Sequence, residues 1–247
     1  MPEKNNSLEK ALKVLDLFIT HNSLTMKNII DLSGYSKGAV QRILVSLGNS
    51  HYLYRNEETG KYHLSGKLYL LAQNTDMQAE IINVLDEPAQ KLSECLGFSV
   101  TVSMLIDYNT TPILRKDAQT TMSLVPRVGD IISPNCCAVG KVLIAYSRNP
   151  KGILDKLNYD QRTKNTIIDR KQLEEELERV KALGFAYDDE ELAEGLFCVA
   201  APLLDKAGYA TCAISVTGYK PKLTARLDLI KSSLKSTITG IERNHQF

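Results

Sequence analysis

The sequence has no CxxC pair, no cluster of histidines, no excess of one charge and no long apolar run. Its five cysteines (Cys95, Cys136, Cys137, Cys198, Cys212) are an odd number without metal-ligand spacing, which argues against a disulfide framework or a zinc knuckle. Thirty Lys and Arg against 29 Asp and Glu leave a net charge of +1, so whole-chain charge selects neither nucleic acid nor a membrane surface. No apolar stretch approaches the roughly 20 residues of a membrane helix. The opening Met1-Pro2-Glu3-Lys4-Asn5-Asn6 lacks the apolar segment of a signal peptide. A cytoplasmic protein without a membrane partner is expected. GxSxG, HExxH, a P-loop and a GxGxxG after a strand are all absent, and the four histidines are scattered. The expectation is therefore no enzyme, no catalytic residue, no metal and no cofactor. The alternative is a small-molecule enzyme with a helical N-terminal appendage.

What is present is a core and an order of elements. With 247 residues, 43% of them hydrophobic, the chain suffices for one large or two modest domains. Residues 7–19 read as an amphipathic helix with Leu8, Ala11, Leu12, Leu15, Phe18 and Ile19 on one face. Val14 and Leu17 are left over, for core or for a partner. Thr25 can cap a second helix, Met26 to Leu32, which Ser33-Gly34-Tyr35 breaks. Ser36 can cap a third, whose Val40, Ile43, Leu44 and Leu47 form a core-facing stripe. Gly48-Asn49 should end it through a left-handed residue. Residues 51–55 and 61–64 are strand-like around a turn with Gly60. A short turn between helices two and three followed by a hairpin is a winged helix-turn-helix pattern.

Residues 67–72 read as a linker helix, Gln73 to Asp76 as a polar interruption, and Gln78 to Leu96 as a longer helix, closed by Gly97, with a kink or break at Pro88. Beyond Phe98, strands are expected at 98–106, 112–118, 123–127, 196–202 and 209–217. Helices are expected at 136–146, 171–183 and 224–245. Strands paired as hairpins with helices between them predict an α+β domain rather than a parallel array.

A helix-turn-helix presents its second helix to the major groove. Burying the stripe leaves Lys37, Gln41, Arg42, Val45 and Ser46 on the open face, where Lys and Arg suit phosphate or guanine and Gln suits adenine. Residues 36–67 hold five Lys or Arg against two acids, a local positive surplus. Gly38-Ala39 makes a bare helix tip, where free N–H groups attract phosphate; a merely tolerated glycine is the alternative. Residues 127–141 are a polar loop opening a helix at Ala138-Val139, which favours a small anion for the same reason. The run Asp188-Asp189-Glu190-Glu191 admits a metal site, a catalytic carboxylate pair or a solvated loop. Cys136-Cys137 admits a nucleophile or two small buried side chains.

Together these stretches resemble the IclR family of bacterial transcription regulators. The likeness is carried in order by the N-terminal winged motif with wing residues 57–64, by Gly129 to Ala145, by Asp188 to Pro202, and by Ala213-Ile-Ser-Val-Thr-Gly218. The resemblance implies a DNA-binding domain over 1–66, a linker over 67–97 and a GAF-like α/β effector-binding domain over 98–247. It implies DNA contacts from Thr25, Ser36, Lys37, Gly38, Ala39, Gln41, Arg42 and Lys61. It implies effector contacts from Ala138, Val139, Asp188, Cys198, Ser215 and Thr217, and a small organic acid, such as glyoxylate, pyruvate or another carboxylate, as effector. Double-stranded operator DNA and a homodimer, paired into a dimer of dimers, follow as partners. The recognition helix departs from the frequent Lys-Ser-Thr opening, and Asn135 stands where histidine is common.

Overall fold

The computed structural model describes residues 6–19, 21–72, 76–117 and 126–244, and the chain divides into two compact units, Met1–Ala79 and Glu80–Phe247. Residues 73–75, 118, 123–125 and 245 of the expected elements lie outside the described residues.

In the first unit, α1 (Asn6–Asp16) continues as a 3-10 turn, Leu17–Ile19. Three elements build the corner: α2 (Met26–Ser33), Gly34 in the left-handed region at φ 68°, and α3 (Lys37–Asn49). Thr25 caps α2 with a reciprocal pair of bonds to Asn28, and the Ser36 hydroxyl accepts the Ala39 N–H at 3.4 Å. The stripe Val40, Ile43, Leu44, Leu47 is buried against Val14, Phe18, Leu24 and Ile29. Each such side chain contributes about 1.5–3 kcal/mol on leaving water.

Two expectations shift here. Val14 is fully buried while Leu8, Leu12 and Ile19 are about half exposed, so the face read as core is partly the outer one. The left-handed residue after α3 is His51 (φ 59°), not Gly48, because the helix runs on to Asn49. The wing pairs β1 (Leu53–Arg55) with β2 (Tyr62–Leu64), antiparallel, and Leu24 adds a one-residue rung on the other edge of β2 through two backbone bonds with Tyr62. A linker helix, α4 (Gly66–Ala72), follows.

The next helix, α5 (Asp76–Leu96), runs unbroken through Pro88, contrary to the expected interruption. Ile81, Leu85, Ala89, Leu92 and Leu96 anchor it on both sides of the proline, and that packing offsets the roughly 3 kcal/mol an interior proline costs. Then come β3 (Ser99–Ile106), β4 (Asn109–Lys116), α6 (Ala138–Ala145), α7 (Pro150–Leu154) and α8 (Arg170–Leu183). The chain finishes with β5 (Ala186–Asp189), β6 (Leu196–Leu204), β7 (Ala210–Tyr219), α9 (Lys220–Thr224) and α10 (Leu227–Asn244). The β3–β4 turn is shorter than expected: Asp107 and Tyr108 both have positive φ, as a two-residue type I′ hairpin requires.

The five strands form one antiparallel sheet in the order β4-β3-β7-β6-β5. One face packs on α5 and α10 through Val100, Val102 and Met104; the other is covered by α6 and α8. Alternation therefore sends Ser99, Thr101 and Ser103 to the α6 side, where all three are buried.

Candidate nucleic-acid interface and ligand cavity

On the first unit, Lys37, Gly38, Gln41, Arg42, Val45 and Ser46 are exposed along α3, and Lys61 is exposed on the wing. Lys37, Arg42 and Lys61 make no ion pair with a described residue. Thr25 and Ser36 differ: their hydroxyls are engaged as helix caps, and Thr25 also donates to Asn28 Oδ1 at 2.6 Å. Ala39 is half-buried. A Cβ on Gly38 would meet only the Arg42 guanidinium, at 3.8 Å, so nothing within the fold requires glycine there.

On the second unit the strand register assembles a second site. Ser99, Thr217, Cys198 and Asp188 stand in one cross-strand row, one from each of β3, β7, β6 and β5. Thr101, Ser215, Ala200 and Ala186 form the next row, and Ser103, Ala213 and Pro202 the third. Asp188, Cys198, Ser215 and Thr217, up to 29 residues apart in sequence, are thus brought together on one face. They border a small cavity with Thr101, Ser103, Cys137 and Val139, walled by Pro112, Pro126, Ile132, Leu192 and Leu196. About 20 Å³ of space remains in it, room for about one water.

The lid of the cavity is the start of α6. Its N-cap is Cys137, which makes no capping bond, where an oxygen would ordinarily serve. Gly140 permits this seating, because a Cβ there would overlap the Pro134 backbone. Val139 borders the space, while Ala138 is fully buried beside it. Asn135 is spent on structure: its amide donates to the carbonyls of Asp160 and Ile167 at 2.9 and 2.8 Å.

The acidic run separates into distinct roles. Asp188, 1% exposed, accepts the N–H groups of Glu191 (2.7 Å) and Leu192 (3.2 Å) on Oδ1, and its Oδ2 has no partner. Asp189 and Glu190 turn outward to Lys220, at 2.6 and 2.7 Å. Glu191 turns inward to Lys141, whose ammonium also donates to the Tyr187 carbonyl at 2.7 Å. Burial pushes Asp188 up from 3.8 to about 7, with the Glu191 charge adding to the rise, so its carboxyl is about half protonated at pH 7. Burial also raises Glu191, against the pull of Lys141. The same desolvation pushes the Cys137 and Cys198 thiols up to about 12 and raises Cys136 as well. None of the three is a thiolate nucleophile at neutral pH. Among the described residues no three His, Cys, Asp or Glu gather as metal ligands.

Thr101 and Ser103 were not singled out by the sequence. Both hydroxyls are buried without a hydrogen-bond partner among the described residues, as is Asp188 Oδ2. The alternation Ser-Val-Thr-Val-Ser over 99–103 is its trace, yet a polar period of two ordinarily marks a solvent face. Two larger grooves, about 670 Å³ between α5 and α10 and about 630 Å³ beside α7 and α8, are lined by none of these unpaired atoms.

Comparison with known proteins meets this geometry. Residues 7–57 match the IclR helix-turn-helix domain, and residues 73–242 match the family described as bacterial transcriptional regulator IclR C-terminal. The chain belongs to the IclR family. It is 28% identical over 229 residues to the HTH-type transcriptional regulator XynR of Escherichia coli K12, covering 90% of this chain and 88% of that one. It is 25% identical over 231 residues to the regulator BhcR of Paracoccus denitrificans, covering 92% and 83%. In fold it is similar to an IclR homolog complexed with 4-hydroxybenzoate from Microbacterium hydrocarbonoxydans, with a TM-score of 0.77 at 17% identity over 96% of this chain and 98% of that one. An IclR regulator from Alicyclobacillus acidocaldarius gives a TM-score of 0.76 at 19% identity, covering 97% and 98%. IclR-family regulators pair an N-terminal DNA-binding domain with a C-terminal effector-binding domain, and this chain carries both. No described helix is long and apolar enough to cross a membrane.

Proposed function

We propose that this regulator binds operator DNA through α3 and the wing, and that a small carboxylic acid held in the cavity changes its operator affinity. The observation that carries the ligand half is Asp188 Oδ2, buried and without a partner among the described residues, on a carboxyl raised toward neutrality that borders a cavity under an uncapped helix start. A protonated carboxyl donates one hydrogen bond to a ligand carboxylate, and Ser215 and Thr217 add hydroxyls that turn to it from the Thr101 carbonyl and Cys198 Sγ, which they now reach at 3.4 and 3.2 Å. The amides of Ala138 and Val139 add the partial positive charge of a helix N-terminus. Keto acids such as glyoxylate and pyruvate are the smallest candidates. The bound 4-hydroxybenzoate of the Microbacterium homolog is also a carboxylic acid. With about 20 Å³ of free space, the cavity must widen to admit any of them. That widening is the differential contact through which ligand and DNA become linked.

On the DNA side, Lys37, Gln41 and Arg42 supply the reading groups, and Lys61 a wing contact to phosphate. The bare tip at Gly38 and Ala39 lets the backbone approach the duplex. Thr25 and Ser36 act first as caps that fix the two helix starts, and reach DNA only with the lone pairs left over. A symmetric operator calls for a homodimer. The half-exposed Leu12, Ile19 and Leu71 offer apolar surface for that contact on α1 and α4. The protein acts in the cytoplasm, where its DNA and acid are found, and carries out no turnover.

The test is binding of the full chain to labelled duplexes from the DNA adjoining its own gene, across salt concentrations. Arg42→Ala should weaken binding and flatten the salt slope by about one unit per lost phosphate contact. Failure of every such duplex to bind at moderate salt refutes the DNA half.

A further inference from the structure

The cavity holds more unpaired polar groups than a simple keto acid can serve. Asp188 stands in the first cross-strand row, Thr101 in the second and Ser103 in the third. At roughly 3.4 Å per residue, successive rows lie about 7 Å apart, so the third is about 14 Å beyond the first at the backbone. A two- or three-carbon acid is shorter than one such step. Seated under α6 with its carboxylate against Asp188, Ser215 and Thr217, it would leave Ser103 unserved.

Yet Thr101 is 5% exposed, Ser103 is fully buried, and neither hydroxyl has a partner among the described residues. Leaving a buried hydroxyl unpaired is destabilising, and valine or alanine would fill either position without that cost. The wall opposite Ser103 offers no substitute. Its cross-strand neighbour is Pro112, which has no N–H, and the β3–β4 register slips by one residue between Val102 and Ser103. Pro126 and Ile132, which also line the cavity, are apolar.

We infer that the effector is a hydroxylated carboxylic acid, long enough for a hydroxyl beyond its carboxylate to pair with Thr101 and Ser103, which therefore set its specificity. This rests on the proposal that the cavity binds an acid. The carboxylate end would be common to all acids that bind; the hydroxyl end would discriminate among them. A site built to hydrogen-bond a hydroxyl rejects the analogue lacking it, because its own polar groups then stay unpaired.

Calorimetric titration of the full chain tests this with glyoxylate and pyruvate as short acids and erythronate and gluconate as hydroxylated ones. At least one hydroxylated acid should bind tenfold or more tighter than both short acids. Thr101→Val and Ser103→Ala should each weaken that acid roughly tenfold, the worth of one hydrogen bond, and leave pyruvate unchanged. Both variants should raise the melting temperature of the free protein, since each removes an unpaired buried hydroxyl. Ser215→Ala should weaken all the acids together. If a short acid binds as tightly as both hydroxylated ones, the inference is overturned, the two hydroxyls serve only water, and the acid site stands. If Thr101→Val and Ser103→Ala fold and keep full affinity, it is overturned as well. If none of the four acids binds, the acid reading of the cavity falls, and this inference with it.

Discussion

Replacing Asp188 by asparagine should make the protein more stable above neutral pH, by a margin that shrinks to about 1.6 kcal/mol at pH 5. In the folded chain burial raises this carboxyl from 3.8 to about 7. The unfolded chain loses the proton near 3.8 and the folded chain keeps it to about 7, so unfolding releases a proton throughout that window. Stability then falls as pH rises, by about 1.4 kcal/mol per pH unit, to a total of roughly 4 kcal/mol above pH 7. Asparagine presents the same carbonyl oxygen to the Glu191 and Leu192 amides at the Oδ1 position. Its NH2 takes the place of the neutral carboxyl's unpaired O–H, and it never ionises. The variant should therefore escape most of the loss, gaining about 2–4 kcal/mol over the parent at pH 8. Chemical denaturation from pH 5 to 8.5, with a probe in the C-terminal unit, measures the difference. Glu191 titrates in both proteins and its charge also raises Asp188, so the difference between them reports position 188 together with its coupling to Glu191. A gap between variant and parent that does not change with pH would refute the reasoning. The same proton matters to the ligand: affinity for an acid anion should fall about tenfold per pH unit above 7 in the parent and stay flat in the variant.

Three further outcomes follow from named contacts. Gly38→Ala meets nothing closer than 3.8 Å, so it should stabilise the N-terminal unit by up to about 1 kcal/mol, seen by thermal melting, while weakening operator binding in an anisotropy assay. Lys141→Met should cost about 3–5 kcal/mol in denaturant titration, because it strands the buried Glu191 carboxylate; adding Glu191→Leu should restore most of it. Leu12→Glu places a charge on the exposed face of α1, and should shift sedimentation toward monomer without lowering the melting temperature.

The N-terminal unit was legible because its signals are local. Thr25 and Ser36 cap the helices they precede, Gly34 and Gly60 take positive φ where the chain turns, and the α3 stripe is buried as its spacing predicts. The Leu24 rung was not legible, since a single residue pairing 38 positions away leaves no periodicity. On α1, helical spacing fits two overlapping faces, and only packing decides that Val14 lies inside and Leu12 outside.

The candidate cavity was legible only in part. Ser215 and Thr217 share a face by alternation, but their meeting with Asp188 depends on the order β7-β6-β5. β5 itself was hidden, because its second half, Asp188-Asp189, opens an acidic run that also suits a solvated loop. Thr101 and Ser103 were hidden for a different reason. Their strand alternates as a half-solvated one would, and the cover that buries its polar face comes from α6, more than 30 residues later. A buried polar face in a central strand is a local rule broken, and such breaks tend to mark function.

The central claim is that one acid, in one cavity, changes how tightly this chain holds its operator. The direct measurement is a titration of labelled operator duplex with the full chain at fixed salt, with and without saturating acid, for the parent and for Ser215→Ala. The account predicts that the acid changes the parent's operator affinity by about 5–150-fold, a coupling of 1–3 kcal/mol, and that Ser215→Ala at the same acid concentration reduces the change. Equal operator affinity with and without an acid shown by calorimetry to be bound would contradict it.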